Sequence, residues 1–170
     1  MSLLNLQIRT VKEGNYSELY TPRNFVEIIV KYIPKNVKRI WCPCDKESSE
    51  YVKVLREKGY EVVATHLEDG YDFLTTEKEC DMIITNPPYD IKDSVIKRCY
   101  ELGKPFALLL SEKAIGGQRR NKLYREHGLG LVVLDKRCDF TGKGAAWFNV
   151  HYFVHTTEMD GKVVFEEVNS

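Results

Sequence analysis

Asp81-Met82-Ile83-Ile84-Thr85-Asn86-Pro87-Pro88-Tyr89 is the stretch on which the fold of this 170-residue chain turns. Met82 to Thr85 are apolar or β-branched without interruption, the pattern of a strand buried on both faces. Neither Pro87 nor Pro88 can donate to a sheet ladder, so the strand ends there. Each proline also turns the residue before it away from helical geometry, which holds Asn86 and Pro87 extended. The result is a stiff bracket at the carboxyl end of a strand, presenting an amide, proline carbonyls and an aromatic ring. Open α/β sheets bind their ligands beyond that end of their strands.

The chain around this bracket alternates strands with helices. Thr21-Pro22 reads as an N-cap and first helical residue, followed by Phe25, Ile28, Ile29, Tyr32 and Ile33 on one face and a stop at Pro34. A first strand is expected over 38–42, a helix over 47–58 through Tyr51, Val54 and Leu55, and a second strand over 61–65. After the bracket, Asp93 or Ser94 suits the cap of a helix reaching Leu102 and closed by Gly103. Further strands are expected over 105–110 and 129–134, with a hinge at Gly116-Gly117 and a short helix to His127 between them. An alternating aromatic strand over 147–155 and a hairpin-like return through Asp160-Gly161 to 163–165 close the chain. This order predicts an α/β fold, with a mostly parallel central sheet, antiparallel strands at its C-terminal edge and helices on both faces.

The totals narrow the function classes. One domain covering residues 1–170 is expected, with a lead-in over 1–19 and no separate target-reading domain. Lys+Arg and Asp+Glu both number 25, so net charge does not call for nucleic acid and any such contact must come from local clusters. Five cysteines, an odd count, and the absence of an apolar amino-terminal signal fit a reducing, cytoplasmic setting without a membrane segment. Cys42 and Cys44 have no matching Cys/His pair, and no metal site is expected.

The strand leading into Asn86-Pro87-Pro88-Tyr89 resembles the fourth motif of class I S-adenosylmethionine-dependent methyltransferases acting on planar nitrogens. The resemblance implies a Rossmann-like methyltransferase fold, S-adenosylmethionine as cofactor and transfer of methyl to adenine N6 in DNA or RNA. Glutamine-N5 and guanine-N2 acceptors remain alternatives, as does a cofactor-less binding protein of this fold. It further implies that Asn86 and the Pro87 carbonyl hold the two hydrogens of an amine while Tyr89 stacks on the flat acceptor. Tyr20 and Thr21 resemble an amino-terminal motif that touches the cofactor's carboxylate, so Thr21 fits both a cap and a ligand contact. Asp45 is implied at the cofactor's ammonium, Glu68 at its ribose, and Asp72 and Phe73 at its adenine. The chain departs from the family between 42 and 49, where the usual glycine-rich loop is Cys-Pro-Cys-Asp-Lys-Glu-Ser-Ser. Across its length the chain is most similar to small methyltransferase-like proteins of bacteriophages and prophages.

Two basic loops flank the bracket. Lys113, Arg119, Arg120 and Lys122 follow one strand; Lys136, Arg137 and Lys143 follow the next, and Trp147 stands beyond them. Solvated surface charge accounts for such residues, and so does contact with phosphates beside an extruded base stacked on Trp147. The expected partner is nucleic acid.

Overall fold

The computed structural model describes residues 21–140 and 149–169. Strands β1 (Arg39–Cys42), β2 (Glu61–Ala64), β3 (Met82–Thr85), β4 (Phe106–Ser111), β5 (Gly130–Arg137), β6 (Asn149–His155) and β7 (Val163–Glu166) form one sheet in the order β2-β1-β3-β4-β6-β5-β7. Only β6 runs against the others; it lies between β4 and β5 and pairs antiparallel with both. Helices α1 (Arg23–Val30), α2 (Glu50–Glu57), α3 (Lys92–Leu102) and α4 (Gln118–His127) cover the two faces. The architecture is therefore the expected Rossmann-like α/β one. The lead-in expected before Tyr20 lies outside the described residues.

Period-2 alternation along the inner strands builds the two faces. Ile40, Met82, Ile84, Ala107, Leu109 and Tyr152 point to one, where they pack with Phe25, Ile29, Tyr51 and Leu55 of α1 and α2. Trp41, Ile83, Leu108, Leu110 and Phe153 point to the other, against Val95, Ile96 and Cys99 of α3. Every residue of β3 and β4 is buried, as continuous apolar runs in a two-faced sheet must be. Asp81 ties the amino ends of β1 and β3 together, its Oδ2 accepting from Lys38 N and Arg39 N at 2.8 Å each.

Several local expectations are corrected. Pro22, not Thr21, is the N-cap of α1, its carbonyl accepting from Phe25 N and Val26 N at 3.0 and 3.3 Å. The Thr21 hydroxyl is thereby left for another partner. Helix α2 begins at Glu50 because Ser49 caps it, Oγ accepting from Val52 N at 3.3 Å. Ile91, not Asp93 or Ser94, precedes α3, since a short 3₁₀ turn over Tyr89–Ile91 runs directly into it. Strand β5 extends to Arg137, so Lys136 and Arg137 stand on a strand end. The return after β6 is no hairpin: β7 passes beyond β5 and pairs with it in parallel.

Close backbone approach at β5 gives a stability test. A Cβ built on Gly130 would stand 2.2 Å from the Met159 carbonyl oxygen, whereas at Gly116 it would meet nothing within 4 Å. Gly130→Ala is expected to lower unfolding free energy by about 1–3 kcal/mol, the usual cost of overpacking, with Gly116→Ala as the silent control. Denaturant unfolding measures both, and equal stabilities would contradict the approach.

Candidate active site

Strand β1 has β2 on one side and β3 on the other, so the chain's progress across the sheet reverses at β1. At such a switch point a crevice opens beyond the carboxyl ends of the strands. Asp45 stands on the loop after β1, Asn86 directly after β3, and Thr21 ahead of α1.

Asp45 is 8% exposed and is held by two hydroxyls. Thr85 Oγ1 donates to its Oδ2 at 2.7 Å, and Ser49 donates to it while capping α2. Its own N–H donates to Thr65 O at 3.2 Å, which stitches the β1 loop to the end of β2. Burial pushes its carboxyl up to about 6, and the two hydroxyl bonds offset only part of that rise. No cation pairs with it among the described residues. A buried carboxylate with neutral partners on one side has capacity left for a positive group on the other.

Asn86 is fixed by a relay whose direction can be worked out from its far end. The Phe25 carbonyl can only accept, and Tyr152 Oη donates to it at 3.1 Å. Tyr152 Oη must then accept from Tyr51 Oη, 2.9 Å away. Tyr51 in turn accepts from the Thr21 hydroxyl. With its proton committed, Thr21 Oγ1 is left to accept, and Asn86 Nδ2 donates to it at 3.1 Å. The amide therefore faces Thr21 with its nitrogen, which leaves its oxygen to find a partner elsewhere. Asn86 Oδ1 is buried and takes no hydrogen bond among the described residues. A buried acceptor left unpaired costs stability unless something binds to it.

The remaining expected site residues are placed as follows. Pro87 is buried beside Asn86. Tyr89 is half-buried with its ring edge-on to Phe140 at 6.3 Å, and burial holds its hydroxyl in the protonated form. Glu68 pairs with Lys46 at 2.5 Å, a bridge between the loops after β1 and β2 that lowers its carboxyl. Asp72 Oδ1 accepts from Leu74 N at 2.9 Å and so shapes a turn. Phe73 is 1% exposed and packs edge-on against Trp41 at 5.2 Å, inside the core. Lys113, Arg119 and Arg137 are exposed. Arg120 is taken up internally by Asp93, the Gly116 carbonyl (2.7 Å) and the Lys113 carbonyl (3.3 Å), and Lys136 donates to Val168 O at 2.6 Å. Tyr20, Lys143 and Trp147 lie outside the described residues.

Sequence reasoning missed Thr85, Ser49, Tyr51 and Tyr152. A polar Thr as the last residue of an otherwise apolar strand is the one available sign for Thr85. Tyr51 and Tyr152 read as plain core positions until the fold brings their hydroxyls together.

The carboxyl of Asp45 makes stability pH-dependent. Its folded value lies above the ordinary aspartate value, so the stability it contributes is complete below about pH 4 and is lost as pH rises through 6. Asp45→Asn, which keeps a hydrogen-bonding group but cannot ionise, is expected to exceed the parent above pH 6 by roughly 3 kcal/mol and to converge with it in acid. Chemical unfolding across that range measures the difference; parallel curves would show that Asp45 is not a buried titrating carboxyl.

No family model and no curated protein matches the sequence. Solved structures do. A Listeria monocytogenes protein assigned to the class I S-adenosylmethionine-dependent methyltransferases superposes with a TM-score of 0.57 at 13% identity, covering 98% of this chain and 72% of its own. The 23S rRNA methyltransferase ErmE superposes at 0.52 and 14% identity, over 82% of this chain and 71% of its own. The chain has the Rossmann-like fold of the class I methyltransferases.

Proposed function

We propose that the chain is an S-adenosylmethionine-dependent N-methyltransferase whose acceptor is the exocyclic N6 amine of adenine in DNA or RNA. The observation that carries this reading is the unpaired, buried Oδ1 of Asn86, held by a hydrogen-bond relay at the end of β3 in a methyltransferase fold. The 23S rRNA methyltransferase among the similar structures agrees with a nucleic-acid acceptor.

An amine on an aromatic ring is a weak nucleophile because its lone pair is delocalised. Asn86 Oδ1 accepts one amine hydrogen and the Pro87 carbonyl the other, which turns the lone pair out of conjugation. When bound, S-adenosylmethionine would supply an electrophilic methyl on a cationic sulfur, the S–CH3 bond breaking as the N–CH3 bond forms and the neutral thioether leaving. Asp45 would hold its ammonium and Asp72 its adenine amine, while Thr21 orients Asn86. Phe73, enclosed by the core, supports the Asp72 turn from below. Tyr89 would stack on the flat acceptor, and Lys113, Arg119 and Arg137 remain exposed for phosphates. No base is required before the bond forms; the nitrogen loses its proton to solvent afterwards. Orientation and electrostatics are the whole contribution of the chain.

One observation favours a second reading. The Lys46–Glu68 bridge occupies the carboxylate meant for the cofactor's ribose, and the loop that carries Lys46 lacks glycine. Those features suit a nucleic-acid-binding protein that has dispensed with the cofactor.

Transfer of labelled methyl to mixed DNA and RNA, followed by nucleoside analysis, separates the readings. N6-methyladenine is expected from the parent. Asn86→Ala should reduce transfer by about a hundredfold or more while leaving cofactor binding nearly unchanged. Thr21→Val, which frees the amide to rotate, should also slow transfer at constant affinity. An Asn86→Ala protein as active as its parent would sink the mechanism. Cofactor binding without labelling of either nucleic acid would move the acceptor to a protein glutamine, and no cofactor binding would leave the second reading.

A further inference from the structure

Among the described residues, strand β7 is the outer edge of the sheet and pairs only with β5. Leu131 N donates to Lys162 O. Along a parallel ladder the backbone groups of alternate residues then point to the neighbour and away from it. Even-numbered residues of β7 face β5, while Val163 and Phe165 turn their N–H and C=O groups outward. Their side chains share one sheet face and are 55% and 79% exposed, the two most exposed large hydrophobic residues described. Edge strands are ordinarily protected by charge, proline or a bulge. Here no proline interrupts β7, and its outward-turned positions carry apolar side chains.

We infer that two copies of the chain pair through this edge, β7 against β7, antiparallel about a two-fold axis at Val164. The sequence of the edge is self-complementary in that register. Val163 stands opposite Phe165 of the second copy, and Phe165 opposite its Val163. Both are outward-turned residues, so these are the hydrogen-bonded pairs of the ladder. On the other face Lys162 stands opposite Glu166, twice by symmetry, so each apolar and each charged pair is matched. Lys162 is exposed, and Glu166, whose two carboxylate oxygens are held by Lys31 and Tyr32, keeps 18% of its side chain accessible for a second cation. Moving the register by two residues either way sets Phe165 against Gly161 or Val163 against Glu167, and the matching is lost. Isologous pairing of this kind closes on itself and uses up both β7 edges.

A strand of four residues is short beside a standard interface of about 1,600 Å², so the dimer is expected to dissociate on dilution. Sedimentation of the full chain over a dilution series should show a species at twice the 19.7 kDa chain mass that gives way to monomer. Lys162→Glu places like charges opposite each other at both positions and should raise the dissociation midpoint by about tenfold or more. Glu166→Lys should do the same. Mixing the two variants should restore the dimer. One chain then carries acidic side chains at both positions and the other basic ones, so every charge again meets its opposite. Val163→Pro, which removes an outward N–H without touching the β5 ladder, should weaken the dimer independently of charge. A parent that stays monomeric throughout would overturn the inference and leave the edge to a foreign strand. A dimer indifferent to these substitutions, or single variants that fail to recombine, would overturn it as well.

Discussion

The site rests on one chain of hydrogen bonds, from Asn86 through Thr21, Tyr51 and Tyr152 to the carbonyl of Phe25. Its far end is a backbone acceptor that can never donate, so each hydroxyl along the way has its proton assigned. The consequence arrives at Asn86 as a fixed orientation, with the nitrogen on Thr21 and the buried oxygen unpaired. Buried relays of this kind strengthen one another and are costly to break at any link. Two aromatic core residues and a threonine at the mouth of α1 therefore control the direction in which an amide oxygen points. A side chain at the end of a strand would otherwise rotate through both orientations at little cost.

The second constraint is the buried Asp45 carboxyl. It sits one strand away from Asn86, and two consecutive residues at the end of β3 divide the work: Thr85 satisfies Asp45, and Asn86 keeps a buried oxygen unpaired. Burial raises the carboxyl toward neutrality, so folding is least favoured where Asp45 is ionised. A cationic group bound beside it would relieve that penalty. The unpaired acceptor and the uncompensated carboxyl both lie at the strand ends of β1 and β3, and both are improved by a ligand that brings donors. This is the expected signature of a binding site built at the expense of stability.

Much of the fold is legible because it depends on short-range rules. The run from Met82 to Thr85 and the prolines after it specify a buried strand and its end. The Gly103 cap and the apolar spacing of the helices do the rest. What the sequence conceals is order across the sheet and the use of polar groups. Strand β7 reads as half of a hairpin because Asp160-Gly161 is a good turn, but turn chemistry says nothing about which strand lies alongside. Thr21 is readable both as a cap and as a site residue. The structure frees it from capping, since Pro22 performs that role with its carbonyl. Arg120 groups with the phosphate contacts by position, whereas the positive φ of Gly117 folds the loop back so that the guanidinium binds it internally. Local pattern cannot foresee those long-range partners.

In the proposed mechanism the crevice between β1 and β3 takes a cationic ligand at Asp45 and an amine at Asn86. Calorimetry of S-adenosylmethionine binding near pH 6, repeated in buffers of different ionisation enthalpy, tests this most directly. If the cofactor's ammonium settles beside Asp45, the carboxyl must ionise fully on binding. A proton is then released, the observed heat varies with the buffer, and Asp45→Asn abolishes that variation. Binding heat that is the same in every buffer, or no binding heat at any cofactor concentration, would contradict the account.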